Sequence, residues 1–431
     1  MNRRLKALVV MVSMCLAALL LVGAALDQAT PSEGVYKHLG VYTEVLHRIK
    51  SDYVEEPDLK SVTLGAINGL LQSIDPFGSY LNADQYREYV KQKDAFQGDV
   101  GLVLSWKYGY LGVVDAVPGS AADKAGLSTG DMLETIRGIA TRDMPLAYAE
   151  MLLRGKPGTT VEVSLLSLSR QAPRKIALTR SVIEYPAVGH NMLPGEIGYI
   201  EASSLVTGKA QEVAAAVKGL ENQGAKRLVL DLRHCATGAP EEGIAVANLF
   251  LEKGLITYLQ GQRVSRQDFT ADPAKTVSRL PLAVLANRGT AGGAEVAAAA
   301  LLENKRAEVI GEPTYGNAAL RKPVAMDDGG AIILAVAKYH SPGGKAIQDA
   351  RVMPSVQVIE TEPAAETEEE PGPPEPRPGV RPEDDKTLQK AIEVLTKGKA
   401  AAEPAAAPPE PARPEPRRLM TPLGEPKGPK R

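Results

Sequence analysis

The chain has 431 residues, too many for one small core and enough for two or three domains. A formal net charge of −2 excludes a generally basic nucleic-acid binder. Five scattered His and two Cys, with no Cys-x-x-Cys pair, give no framework for a zinc site, so neither a metal nor another cofactor is expected.

In chain order, Arg3, Arg4 and Lys6 precede an apolar stretch from Ala7 to Leu26, and polar Asp27-Gln28 follows. A basic start, an apolar run and the small residues Gly23-Ala24-Ala25 predict an export signal over residues 1–30. The run is also almost long enough to span a bilayer, so an uncleaved anchor is the alternative. Either way the rest of the chain is expected in the bacterial periplasm or at the periplasmic face of the inner membrane. Cys15 lies inside this run, which argues against a disulfide with Cys235, and Met14 before it argues against lipidation.

Residues 31–95 read as a helical region. Val41, Val45 and Ile49 recur at four-residue spacing, and Leu64, Ile67, Leu71 and Ile74 form a second stripe that Asp75-Pro76 ends. Residues 96–180 change period. "GLVLSWKYGYLGVVDAV" holds two β runs broken at Tyr108-Gly109, "TVEVSLLSL" alternates, and Leu146, Ala149 and Leu153 line a short helix between them. This predicts a small β-rich module.

From 181 to 360 short apolar strands ("IGYIEASSL", "RLVLDLR", "PLAVLANR", "AEVIGEP") alternate with the Ala-rich helices "AQEVAAAVKGLENQG" and "AEVAAAALLENK". Alternation of this kind predicts a layered α/β core. Residues 361–431 are rich in Pro, Glu and Ala and predict a disordered tail. Within it, Leu388, Ala391, Ile392 and Leu395 predict a short helix over 386–397, capped by Asp385. The fold class is therefore multidomain α/β.

In this order the segments resemble the carboxyl-terminal processing peptidases, or tail-specific proteases. "GAINGLLQSIDPFGSYL" is similar to the family's N-terminal helix and Asp-Pro turn. "GSAADKAGLSTGDMLETIRG" with "RGKPGTTVEV" is similar to its PDZ domain, and "GYIEASSL", "LVLDLR" and "VAKYHSPGGKAIQDARVMPSVQV" to its protease core. The resemblance implies dimerisation through the N-terminal helices.

A PDZ groove accepts a peptide C-terminus as an added strand, with loop amides holding the terminal carboxylate. Gly98 and Gly101 would permit that loop, Leu102 and Leu104 would open the accepting strand, and Leu146, Ala149 and Leu153 would form the facing helix wall. The bland alternative is that all of these are core residues of a β module.

The resemblance also implies a Ser–Lys dyad, with a Gln that orients the Lys. On this sequence "GTAGGAE" replaces the nucleophile stretch and "YGNAALR" the base stretch. Gly292 then stands at the nucleophile position, Asn317 at the Lys position and Arg321 at the Gln position, with the family's spacing intact. Glycine has no group to attack with and an amide is no base near neutral pH. The oxyanion-hole backbone would persist at Gly293, Thr237 and Gly238. Thr290 and the His234–Cys235 pair are the possible substitutes. Adjacent residues on a strand point to opposite faces, so a buried Cys and a loop His are the simpler reading. Ser203 and Ser204 are expected to serve only a strand end and its turn.

These features favour an exported, catalytically dead relative that captures the C-termini of envelope proteins as an adaptor, or as a regulator of an active paralogous protease. The competing expectation is a serine-type endopeptidase of divergent mechanism acting on such C-terminal segments. A purely structural envelope protein is a third.

Overall fold

The computed structural model describes residues 32–95, 97–107, 109–142, 144–166, 173–359 and 384–397. The expected export signal, Cys15 and the tail apart from 384–397 lie outside the described residues. No helix among the described residues is long and apolar enough to cross a membrane. The chain divides into a unit up to Gly69 and a unit from Leu70 onward.

In the first unit, helix α1 spans Ser32–Asp52, and helix α2, Leu59–Ile74, begins there and runs into the second. Val41 and Val45 stand exposed on α1. Pro76 has no N–H and disfavours helical geometry at Asp75, so α2 stops at Ile74 as its sequence predicts. The expected all-helical stretch to Ala95 is, however, interrupted. Strand β1, Ser79–Leu81, precedes helix α3, Ala83–Ala95, and pairs with a strand far along the chain.

The β-rich module holds β2 (Leu102–Lys107), β3 (Tyr110–Ala116), β4 (Met132–Ile136), β5 (Ile139–Ala140), β6 (Thr160–Leu166) and β7 (Arg174–Thr179). They form one antiparallel sheet of order β2-β3-β4-β6-β7, with β5 beside β4, leaving β2 at an edge. Helix α4 (Ala121–Lys124) and helix α5 (Leu146–Leu153) complete the module. Six of the eight α5 residues are buried. Leu146, Ala149, Leu152 and Leu153 join the module core, while Ala147 and Met151 turn to Leu81 and Ile333. An apolar helix buried on two sides thus locks the module to its neighbour.

The core is built on two sheets, not one. The first has order β17-β14-β13-β10-β9-β8 and contains β8 (Gly189–Leu193), β9 (Ile197–Glu201), β10 (Arg227–Asp231), β13 (Leu282–Ala286), β14 (Ala307–Gly311) and β17 (Val356–Gln357). All neighbours are parallel except β8 and β9. Every β13 residue is buried, as a central parallel strand covered on both faces requires. Helices α6 (Lys209–Asn222), α7 (Pro240–Asn248) and α8 (Gly293–Glu303) share one core cluster with Leu228, Leu230 and Val284. The alternate residues Val229, Ala283 and Leu285 face helix α10, Lys386–Lys397, through Leu388 and Ala391. Ile392 and Leu395 pack against the same cluster.

The second sheet has order β1-β16-β11-β12, with β15 on β16. It comprises β11 (Leu255–Gln260), β12 (Gln267–Thr270), β15 (Ala319–Ala325) and β16 (Ala331–His340), followed by the short helix α9, Ile347–Ala350. Through β1 the segment before the module is built into the core.

Candidate functional site

Gly292 lies between strand β13 and helix α8, at φ 61° and ψ −119°. Side chains avoid that conformation, but it is the geometry of a sharp strand-to-helix elbow that presents one residue above a sheet. Glu295, three residues on and fully buried, fixes the turn: its Oε2 accepts the Gly292 N–H at 3.0 Å. The same carboxylate accepts Gly316 N–H at 2.6 Å, Asn317 N–H at 2.7 Å and the Thr314 hydroxyl. One buried acid therefore holds together the two segments that carry positions 292 and 317. Burial pushes its pKa up, and the four donors oppose the shift.

A Cβ on Gly292 would meet only the carbonyl oxygens of Asn317 at 3.6 Å and Gly238 at 3.7 Å. The position has room for a side chain and carries none. Around it the backbone is close-packed. A Cβ on Gly238 would overlap Leu205, and one on Gly243 would overlap the Gly293 carbonyl. Leu205 N–H donates to Thr237 O at 2.7 Å and Ala239 N–H to Leu205 O at 3.1 Å, so this bridge engages neither the Thr237 nor the Gly238 N–H. The Gly293 N–H, at the first residue of α8, has no acceptor within the helix. Gly293 follows Gly292 at the start of α8, and the carbonyl of Gly238 faces Gly292 from the other turn.

At the second position the Asn317 side chain is committed: its Oδ1 accepts Arg321 Nη1 at 2.7 Å. Arg321 Nη2 also donates to Gln348 Oε1 at 2.8 Å and approaches Asp75 Oδ1 at 3.4 Å. Gln348 Nε2 donates to that same Asp75 oxygen at 3.2 Å. The guanidinium lies 4.3 Å from the Phe77 ring centroid, and its buried Nε finds no acceptor among the described residues. Burial lowers its pKa, and Asp75 opposes that shift. No local pattern marks Asp75, Phe77 and Gln348 as site residues, because the contacts that join them to one another and to Arg321 span up to 273 positions.

The two possible substitutes are occupied. Thr290 Oγ1 donates to Leu232 O at 2.8 Å and accepts Asn287 N–H at 3.0 Å. Cys235 is buried, and desolvation pushes its thiol pKa far up, so it holds no reactive thiolate. His234 Nδ1 lies 3.3 Å from Asp115 Oδ1, and Nε2 lies 2.9 Å from Asn287 Nδ2. With Nδ1 engaged by Asp115 and Nε2 by Asn287, neither ring nitrogen is free to serve as a base. Ser204 lies three residues beyond the end of β9. Its hydroxyl is buried without a partner among the described residues and so does not brace the turn.

In the β-rich module, Leu104, Leu146, Ala149 and Leu153 are buried core residues, and Phe77 packs into the same cluster. The bland alternative therefore describes these four side chains, with Leu102 half-buried at the start of the edge strand. Gly98 forms a bridge with Gly155. Gly101 takes φ 84°, and a Cβ there would overlap Ser120. Tyr315, next to Gly316, bonds Ser105 of β2 through its hydroxyl and meets Phe77 edge-on at 5.9 Å. Burial raises its phenol to about 12.

A strand-to-helix elbow facing a second turn, here Thr237-Gly238, is a framework used by acyl-transfer hydrolases. Residues 196–358 match the model of peptidase family S41. The carboxyl-terminal-processing protease of a Synechocystis strain is 32% identical over 320 residues, covering 72% of this chain and 74% of that protein. Carboxy-terminal processing protease CtpA of Bacillus subtilis is 33% identical, covering 72% of this chain and 66% of that one. Among solved structures, a photosystem II D1 C-terminal processing protease superposes with a TM-score of 0.60 at 28% identity, over 73% of this chain and 86% of that one. The chain belongs to the carboxyl-terminal-processing protease family.

Proposed function

We propose that this chain is a catalytically inactive member of its family that binds protein C-termini through the β-rich module, acting in the bacterial envelope as an adaptor or regulator. The observation that carries the reading is the pair of turns bound by Glu295. The elbow is formed and spacious, yet Gly292 offers no nucleophile, and Asn317 is an amide bound to Arg321. Acyl transfer needs an attacking group and a base for its proton, and an amide cradle alone supplies only about 10³–10⁴ over water. The module reads as a PDZ domain: β2 ends its sheet, so a peptide could add along β2 as a strand. Export rests on the basic start and apolar run of residues 3–26.

The test is incubation of the purified chain with casein and with C-terminally tagged peptides. No cleavage is expected. Robust turnover that survives both Thr290→Ala and Cys235→Ala would overturn the assignment of Gly292 and Asn317. Turnover abolished by either change would instead support the second reading, a peptidase of divergent mechanism.

A further inference from the structure

The loop that would hold a peptide's terminal carboxylate is already holding one. Asp99 Oδ1 accepts the Val100 N–H at 2.6 Å and the Gly101 N–H at 2.9 Å. Its second oxygen, Oδ2, lies 3.3 Å from Nε of Arg154, just beyond the end of α5. The backbone of Asp99 is pinned by two bonds of 2.9 Å with Ser181, and Gly98 on its other side is bridged to Gly155. Rotation about the Asp99 side-chain bonds could therefore empty the loop without moving the chain. The pair is within reach of solvent, with 28% of the Asp99 side chain and 47% of the Arg154 side chain exposed.

We propose that Asp99 plugs the carboxylate loop of the module from within, its own carboxylate occupying the Val100 and Gly101 N–H groups and the Arg154 guanidinium that an incoming peptide C-terminus would need. The proposal rests on the PDZ reading given above and adds a restraint to it. A carboxylate held by two amides and a guanidinium has the charge-assisted contacts such a site requires. An incoming terminal carboxylate must displace an equivalent group, so it gains little over a terminal amide. Removing Asp99 frees the same two amide donors and takes one carboxylate away from Arg154, which favours the acid.

The experiment measures binding of a fluorescently labelled eight-residue peptide ending in leucine, as free acid and as terminal amide, to the full chain by anisotropy. In the unaltered chain acid and amide are expected to bind within about threefold of each other. Asp99→Ala should raise the acid-to-amide preference about tenfold, roughly the 1.4 kcal/mol that separates one decade. Asp99→Asn keeps the loop capped by an uncharged oxygen and should fall between, which guards against a loop that Ala has merely loosened. Arg154→Gln added to Asp99→Ala should abolish the gain. A strong acid preference in the unaltered chain that Asp99→Ala leaves unchanged would overturn the plug while leaving peptide capture standing. No binding of either peptide to any variant would overturn the plug together with the PDZ reading.

Discussion

Arg321 donates to Asn317 Oδ1 at 2.7 Å, so these two side chains are committed to each other. On the proposed reading, in which they replace the family's base and its orienting residue, restoring chemistry requires changing both. Gly292→Ser with Asn317→Lys and Arg321→Gln is expected to yield measurable casein cleavage. The variant retaining Arg321 should be slower, because the guanidinium loses its acceptor at 317 and competes with the new amine for space. Gly292→Ser alone should stay inert and, at φ 61°, should lose on the order of 1–3 kcal/mol in urea unfolding. Equal activity from the serine alone would show that the base lies elsewhere.

Glu295→Gln should destabilise the protein by about 1–3 kcal/mol, because an amide NH₂ cannot accept from the donors that either carboxyl oxygen, protonated or not, now meets. The sign of its pH dependence follows from the raised pKa of Glu295. The folded state holds the proton more tightly than the unfolded chain, so this stabilisation is complete below the unfolded pKa and is lost as pH rises through the folded one. The stability difference between the unaltered chain and Glu295→Gln should therefore be larger at mildly acidic pH than at neutral pH. A difference that grows toward neutral pH would contradict this.

The C-terminal helix is held by charge as well as by its apolar stripe. Arg233 donates to Asp385 at 3.1 and 2.7 Å and also pairs with Asp231, while Asp385 caps α10 by accepting the Leu388 N–H at 2.8 Å. Asp385→Ala should cost about 3 kcal/mol, from the broken buried pair and the lost cap. Arg233→Ala should cost more, because it strands two buried carboxylates where the first change leaves Arg233 with Asp231. Urea unfolding followed by circular dichroism gives the order; the reverse order would refute this account of the docking.

A homodimer built partly from the N-terminal helices is expected, since Val41 and Val45 present an exposed apolar stripe on α1. Light scattering should give twice the chain mass. The double change Val41→Asp and Val45→Asp should give a monomer. A monomeric mass for the unaltered chain would reject the idea.

Much of the architecture is legible in the residues. The strands around Val229, Val284 and Val309 are short apolar runs bounded by turns, and Pro76 marks the end of α2. The second sheet is harder to read. Its β16 alternates weakly and pairs with Ser79–Leu81, more than two hundred positions away, so no local window contains the reason for its burial. Helix α7 has a local signal, Pro240 followed by Glu241 and Glu242 at a helix start. Gly292 and Asn317 are legible only through the family resemblance, as the residues proposed to replace its dyad. Their brace is less hidden, since a Glu three residues after a helix cap is a capping-box signature that marks Glu295. The pairing of His234 with Asp115 across modules has no local signature at all.

The contact between Gly243 and Gly293 leaves no space for even one carbon atom between helices α7 and α8. The turn before α7 and the turn before α8 are thus keyed together by main chain alone. Such a joint is indifferent to what side chains the rims carry. A hydroxyl at 292 could be lost, or returned, without loosening the seam beneath it. A lineage could therefore abandon the reaction while its vestibule stayed in shape, free to be used for holding rather than cutting.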